Sequence, residues 1–306
     1  MIISLLLSSF LTLVELNCEN LFDTQHDVGK EDSEFLSDGI RHWTPTKYWN
    51  KLNDIGQEIL SCSDDLPDFV ALVEVENDSV LRDLTRRSLL RHAGYQYLMT
   101  ESKDVRGVDV AFLYQPHSFR PLCYDYLEVP VVNDMRPTRD VLYVKGQCVS
   151  GDTLHVFVVH APSRYGGELE TQAYRLQVSQ IILKALSHIN DQSKVLIAGD
   201  FNDYADSPSI QLLCHSGLIN VTRGARGLHG APANYRYRGE WHSLDHVLVS
   251  PGLAAKVDNS YINDAPFLME EEPTYGGKRP RRTFRGMRYQ RGYSDHLPLV
   301  VRFKMD

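Results

Sequence analysis

The stretch Val195-Leu196-Ile197-Ala198-Gly199-Asp200-Phe201-Asn202-Asp203 decides the fold. Four small or branched apolar residues ending at a glycine read as a fully buried strand, too short for a helix. A carboxylate, an aromatic, an amide and a second carboxylate follow at once. In an α/β protein, ligands sit at the carboxyl ends of buried strands, where the sheet opens into a crevice. Asp200 and Asn202 are two apart, so an extended chain projects them to the same side. A carboxylate beside an amide can hold a hard cation, orient a water or grip a phosphate oxygen. The same residues also suit a turn whose Asx side chains bond their own backbone.

Other strand ends repeat the pattern. Ser294-Asp295-His296-Leu297-Pro298 leads into the apolar run Leu299-Val300-Val301-Arg302-Phe303, and Ser243-Leu244-Asp245-His246 leads into Val247-Leu248-Val249. Five apolar residues of Phe69-Val70-Ala71-Leu72-Val73 precede Glu74. A first strand over 11–16 delivers Asn17, with Asn20 shortly after, and a strand over 154–159 delivers His160. One acid at a strand end is ordinary; a carboxylate, amide or Asp-His pair at every one calls for a common cause.

Apolar residues at helical spacing predict helices over 46–61, 80–91, 170–190 and 207–215, the last opened by Ser207-Pro208 as N-cap and first-turn proline. Further strands are predicted over 108–114, 120–129, 141–148 and 154–159. Strand pairs beside helix–strand units imply an α/β fold of two packed sheets with helices on both outer faces. No linker tract or internal repeat interrupts the 306 residues, so one domain spanning 1–306 is expected. Residues 1–13 are all apolar or Ser/Thr. They read as a lead-in to the first strand or as the remnant of an export signal, and lack a basic start and the length to span a bilayer.

In order and spacing, Asn17, Glu74, His160, Gly199 to Asn202, Asp245 and Ser294 to His296 resemble the endonuclease/exonuclease/phosphatase superfamily of metal-dependent phosphoesterases. The resemblance runs from about residue 12 to 303. It implies a four-layer α/β/β/α sandwich of two mixed or antiparallel sheets flanked by helices. It also implies hydrolysis of phosphodiester bonds by in-line water attack, nuclease-like, with Mg²⁺ or Mn²⁺ as cofactor. Asn17, Glu74 and Asp295 match the metal-holding positions. His160, Asp200, Asn202, Asp245 and His296 match the catalytic ones. Asp245 would orient His296, which would act as general base or as a cationic stabiliser of the developing charge, with Asp200 as the competing base. Alternative readings on the same fold are a phosphatase for inositol phosphates, sphingomyelin or other phospholipid head groups, and a non-catalytic binding protein, which should have lost some of these residues.

Substrate contact has two further candidates. Arg106 opens the strand at 108–114, where the family often places a substrate contact. The segment from Tyr275 to Tyr293 carries Lys278, Arg279, Arg281, Arg282, Arg285, Arg288 and Arg291 and no acid, interleaved with aromatics. It runs straight into Ser294-Asp295-His296, so Arg281, Arg282 and Arg285 are expected at the mouth of the site, suited to a nucleic-acid strand or a polyphosphate. Arg164 and Arg175 would add to the same field. The net charge of −8 argues against bulk electrostatic coating of nucleic acid but permits a local basic cleft. A monomer without a membrane span is expected.

Several residues read as structural. Glu76 reads as a solvated neighbour of Glu74 and His155 as an edge or surface histidine. His242 and His246 are four apart, but His246 opens a strand, where such a pair does not converge on zinc. Five widely spaced cysteines, with no Cys-x-x-Cys, argue against a zinc cluster or disulfide framework and leave room for one bridge, such as Cys123 to Cys148. Gly29-Lys30 lacks the preceding glycine of a P-loop, which disfavours ATP-driven chemistry.

Overall fold

The computed structural model describes residues 10–131, 135–190 and 193–304, so the lead-in before Phe10 lies outside it. Two six-stranded sheets dominate. The first runs in the order β13 (Val257–Ile262), β18 (Leu299–Lys304), β1 (Phe10–Leu21), β2 (Phe69–Val75), β4 (Asp109–Tyr114) and β3 (Gln96–Met99). The second runs β5 (Phe119–Leu127), β6 (Val141–Cys148), β7 (Thr153–His160), β8 (Lys194–Asp200), β12 (Asp245–Val249) and β9 (Ile219–Asn220). Pairing is antiparallel except for β1 with β2 and β7 with β8. Three hairpins stand apart: β10 (Tyr235–Tyr237) with β11 (Glu240–His242), β14 (Met269–Glu271) with β15 (Lys278–Pro280), and β16 (Phe284–Arg285) with β17 (Arg288–Tyr289).

Strand alternation sorts side chains into layers. Leu11 and Leu13 of β1 and Phe69, Ala71 and Val73 of β2 meet Val156, Val158, Leu196, Ala198, Val247 and Val249 of the other sheet. The opposite parity, Val14, Leu16, Val70 and Leu72, packs under Leu52, Ile55 and Ile59 of α1 (Pro45–Leu60) and Leu81 and Leu84 of α2 (Asp78–Arg86). Phe157, Val195 and Ile197 pack under Val178 and Ile182 of α3 (Glu168–Leu186) and Ile210 of α4 (Pro208–His215). A short α5 (Pro251–Ala254) follows β12. The result is a four-layer α/β/β/α sandwich, as expected. None of the described helices is long and apolar enough to cross a membrane.

The differences are local. The helix expected over 80–91 ends at Arg86, because the Ser88 side chain caps a new 3-10 turn over Leu89–His92 by accepting from the Leu90 amide. Cys123 and Cys148 stand out of register, opposite Lys145 and Phe119, and all the cysteines are free. Glu76 is buried, accepting from the Asp23 amide at 2.6 Å, and burial pushes its carboxyl up to about 9. His155 is also buried, with its Nδ1 2.8 Å from the Tyr143 hydroxyl.

Glu58 on α1 is fully buried, and neither carboxylate oxygen has a hydrogen-bond partner. Burial outweighs the attraction of Lys51 and pushes the carboxyl up to about 8. The unfolded chain then releases this proton near pH 4.5 and the folded chain only near 8, so this group costs stability as pH rises between them. Glu58→Gln should therefore stabilise the protein at pH 8 by about 4 kcal/mol at most, yet leave stability at pH 4 nearly unchanged. Urea melts at the two pH values check this; an equal change at both would show a packing effect instead.

Candidate active site at the strand ends

Local backbone irregularity aims the side chains. Register shifts interrupt β1 between Asn17 and Leu21 and β2 between Val73 and Val75. Regular alternation would turn Glu74 outward, because Val73 faces the other sheet. Instead Val75 takes the outward place with Val70 and Leu72, and Glu74 occupies the bulge with φ 60°. Glu19 and Asn20 have φ 49° and 60°. Left-handed backbone costs such residues on the order of 1–3 kcal/mol each and persists only where the surroundings enforce it. Here the enforcement is mutual: the Asn20 amide donates to Glu74 Oε2 at 2.9 Å, and the Glu19 amide donates to Asn17 Oδ1 at 2.9 Å.

At the end of β8, Gly199 has φ 149°, and a Cβ there would lie 1.9 Å from the Val159 carbonyl oxygen. Only glycine lets β8 pass so close to β7, which sets Asp200 directly beside His160 in the register. Phe201 then drops into the helix-side core, and Asn202 turns back with φ 50°, its amide donating to Asp200 Oδ1 at 2.7 Å. The turn reading of this stretch holds: Asp200 Oδ1 closes an Asx turn, while Oδ2 faces the other strand ends and accepts from Asn17 Nδ2 at 3.1 Å.

The two sheets thus deliver their groups to one place. His160 Nε2 lies 3.8 Å from Glu74 Oε1 and 3.9 Å from Asp200 Oδ2. Burial, with Arg139, Arg106 and His296 nearby, holds the His160 imidazole well below its usual value, so it is neutral. His296 Nδ1 sits 2.7 Å from Asp245 Oδ2. Burial alone would lower the His296 value, but Asp245, Asp200 and Asp295 hold it well above the usual one. Asp200, Asp245 and His296 each place a ligand-type atom within 4.8 Å of the others. Burial and the Asp245 charge raise the Asp200 carboxyl to about 7. So many buried carboxylates around few cations favour a cation among them.

The remaining candidates lie on the rim. Asn202 Nδ2 donates to the Ala161 carbonyl at 3.1 Å. Arg106 donates to Asn20 Oδ1 at 2.6 Å and comes within 3.7 Å of Glu74 Oε1. Asp295 pairs with Arg282 at 2.8 Å, and despite burial that guanidinium holds its carboxyl below the usual range. Arg282 also reaches Glu19 at 3.0 Å. Arg285 pairs with Glu270 at 3.2 Å, while Arg281 lies 5.9 Å over the Tyr293 ring. The basic segment is therefore largely neutralised by carboxylates from elsewhere: Arg279 pairs with Glu270 and Glu272, and Arg291 lies 3.8 Å from Asp54. Arg175 belongs to a buried pair with Asp203 at 2.8 Å, and Arg164 is held by Glu168. His246 is tied to Asn220 and the Asp203 carbonyl, and His242 to Tyr204, so the two do not converge.

Three site residues lay outside the sequence reading. Asn234, fully buried, donates to Asp245 Oδ2, and Tyr235 packs tilted against His296 with ring centroids 4.6 Å apart. Asn234 lies in a loop and Tyr235 opens the three-residue β10, with no sequence pattern to announce either. Glu15 did carry a signal: it shares the inward parity of Leu11, Leu13 and Asn17. It is fully buried, and burial with Asp245 and Asp200 nearby drives its carboxyl well above the usual range.

Comparison with known proteins agrees with this geometry. The model of the Endonuclease/Exonuclease/phosphatase family matches residues 12–305. No curated protein matches by sequence. Among solved structures, an endonuclease/exonuclease/phosphatase family protein from Bacteroides thetaiotaomicron superposes with a TM-score of 0.65 at 16% identity, over 97% of this chain and 98% of that one. A mannosyl-6-phosphatase from the same species gives 0.61 at 15% identity, over 95% and 98%. D. rerio TDP2 complexed with a single-strand DNA product gives 0.57 at 16% identity, over 97% and 100%. Structural likeness at such identities establishes the fold, whereas the family match spans nearly the whole chain. The chain belongs to the endonuclease/exonuclease/phosphatase family of phosphoesterases.

Proposed function

We propose that this protein hydrolyses phosphodiester bonds by in-line attack of water, with Mg²⁺ or Mn²⁺ as cofactor, in a nuclease-like manner. The observation that carries the reading is the convergence of Glu74, His160, Asp200, Asp245 and His296 from strands of two sheets. Asn17, Glu74 and Asp295 would hold the cation; their oxygens are the hard donors such ions take. Of the three, Asp295 already has a cationic partner in Arg282. Held there, such an ion would supply Lewis acidity to a phosphoryl oxygen and to the leaving oxygen.

The protein's own groups do the rest. Asp245 holds the imidazole of His296, which serves as general base or, kept protonated by the carboxylates around it, as a cation over the developing charge; Asp200 is the competing base for the attacking water. Neutral His160, with Asn202 and Arg106, donates to the non-bridging oxygens as charge builds on them. Arg281, Arg282 and Arg285 contact the substrate beyond the scissile group.

A second reading, a phosphatase for small phosphate esters, is favoured by the neutralised basic segment, which leaves little free charge for a long polyanion. Likeness to a mannosyl-6-phosphatase points the same way. Hydrolysis of single-stranded DNA, RNA, sphingomyelin, inositol polyphosphates, sugar phosphates and bis-p-nitrophenyl phosphate, each with Mg²⁺, Mn²⁺ or EDTA, separates the readings. No metal-stimulated turnover of any of them would overturn both.

A further inference from the structure

Beside the catalytic cluster, the hairpins β10–β11 and β14–β15 enclose a cleft of about 210 Å³. Asp295, the chain neighbour of His296, lies on its wall. Tyr235, which opens β10, packs against the His296 ring. The cleft therefore begins where the phosphate being hydrolysed would end.

Its frame is rigid. Arg236 on one hairpin donates to the carbonyls of Gly276 at 2.9 Å and Lys278 at 2.6 Å on the other. Arg238 and Gly239, with φ 50° and 88°, form the two-residue turn of β10–β11, and a Cβ on Gly239 would come 2.8 Å from Cβ of Tyr275. Ion pairs fix Arg279, Arg282 and Arg285 in the wall.

Its charge is positive. Five arginines line the cleft, and the carboxylates paired with them are four: Glu19, Glu270, Glu272 and Asp295. Arg238, at the exposed tip over the Tyr237 ring, has no carboxylate partner among the described residues. A volume of 210 Å³ is below that of a site for a whole ligand and suits one phosphate with the group that carries it. An arginine without a carboxylate partner keeps its forked donors for such a group.

We propose that this cleft is a subsite for a second phosphate of the substrate, gripped by Arg238 and lying one chemical unit from the phosphate under attack. The proposal rests on the phosphoesterase reading and narrows it to substrates with two or more phosphates. A nucleotide chain and a phosphorylated polyol offer the same chemistry, and the arms of the test tell them apart.

Calorimetric titration compares thymidine 3′,5′-bisphosphate with thymidine 5′-monophosphate, and inositol 1,4-bisphosphate with inositol 1-phosphate. The intact protein should bind at least one bisphosphate about tenfold more tightly than its monophosphate. The pair with the larger ratio identifies the source. Arg238→Ala should shrink that ratio to about twofold, and Arg238→Lys should restore part of it. Equal affinities within both pairs, no measurable binding of either bisphosphate, or a ratio that survives Arg238→Ala would overturn the subsite. Turnover of bis-p-nitrophenyl phosphate, followed in parallel, reports on the phosphoesterase reading alone, so the two ideas fail separately.

Discussion

Asp245→Asn and His296→Ala should each lower kcat/KM on bis-p-nitrophenyl phosphate by roughly 10³-fold, and the double variant should lose little more. Asp245 Oδ2 is shared between His296 Nδ1 and Asn234 Nδ2, so the amide and the carboxylate together fix the ring. Once the imidazole is gone, the carboxylate has nothing left to orient; once the carboxylate is gone, the imidazole loses both charge support and direction. Residues that work as one unit give such non-additive losses. Additive losses would mean separate roles, and Asp200, raised by burial and the Asp245 charge, would then be the better general base.

Glu74→Gln should lower turnover by about 10³-fold or more, as should exhaustive dialysis against EDTA, with Mg²⁺ or Mn²⁺ restoring only the unsubstituted protein. Glutamine keeps an oxygen for the Asn20 amide, so the bulge and the melting temperature should survive. Full activity after EDTA dialysis, or a Glu74→Gln protein as active as its parent, would remove the metal from the mechanism. Restoration of the variant by raised metal concentration would instead make Glu74 one ligand among several.

Strands buried on both faces were the most legible part of the fold. β2, β7 and β8 are near-continuous apolar runs that carry Glu74, His160 and Asp200 at or next to their carboxyl ends, where a polar side chain is costly to bury without purpose, and Asp295 and His296 stand just ahead of the apolar start of β18. The edge strands of the first sheet were not legible. β13, Val-Asp-Asn-Ser-Tyr-Ile, and the four-residue β3 gain their place from the neighbour they pair with rather than from their own pattern. In the site, residues at strand ends could be named from sequence because the strand fixes their position. Asn234 and Tyr235 could not, since a loop and the start of β10 reach Asp245 and His296 by tertiary packing alone. The basic segment teaches the converse lesson. Its cations were plain to read, but Glu19, Asp54, Glu270 and Glu272 that neutralise them come from other parts of the chain.

The site straddles a seam. Asn17 and Glu74 ride on one sheet, with His296 on the approach to β18 of that sheet, whereas His160, Asp200 and Asp245 ride on the other. Neither sheet alone owns a working half, and the contacts Asn17–Asp200 and His296–Asp245 act as rivets through the join. Whatever grips both sides at once clamps the layers against sliding apart. A ligand at a hundred times its dissociation constant would add about 2.7 kcal/mol against unfolding. During refolding, catalytic competence would be the last property to appear, because it waits for the two sheets to dock in register.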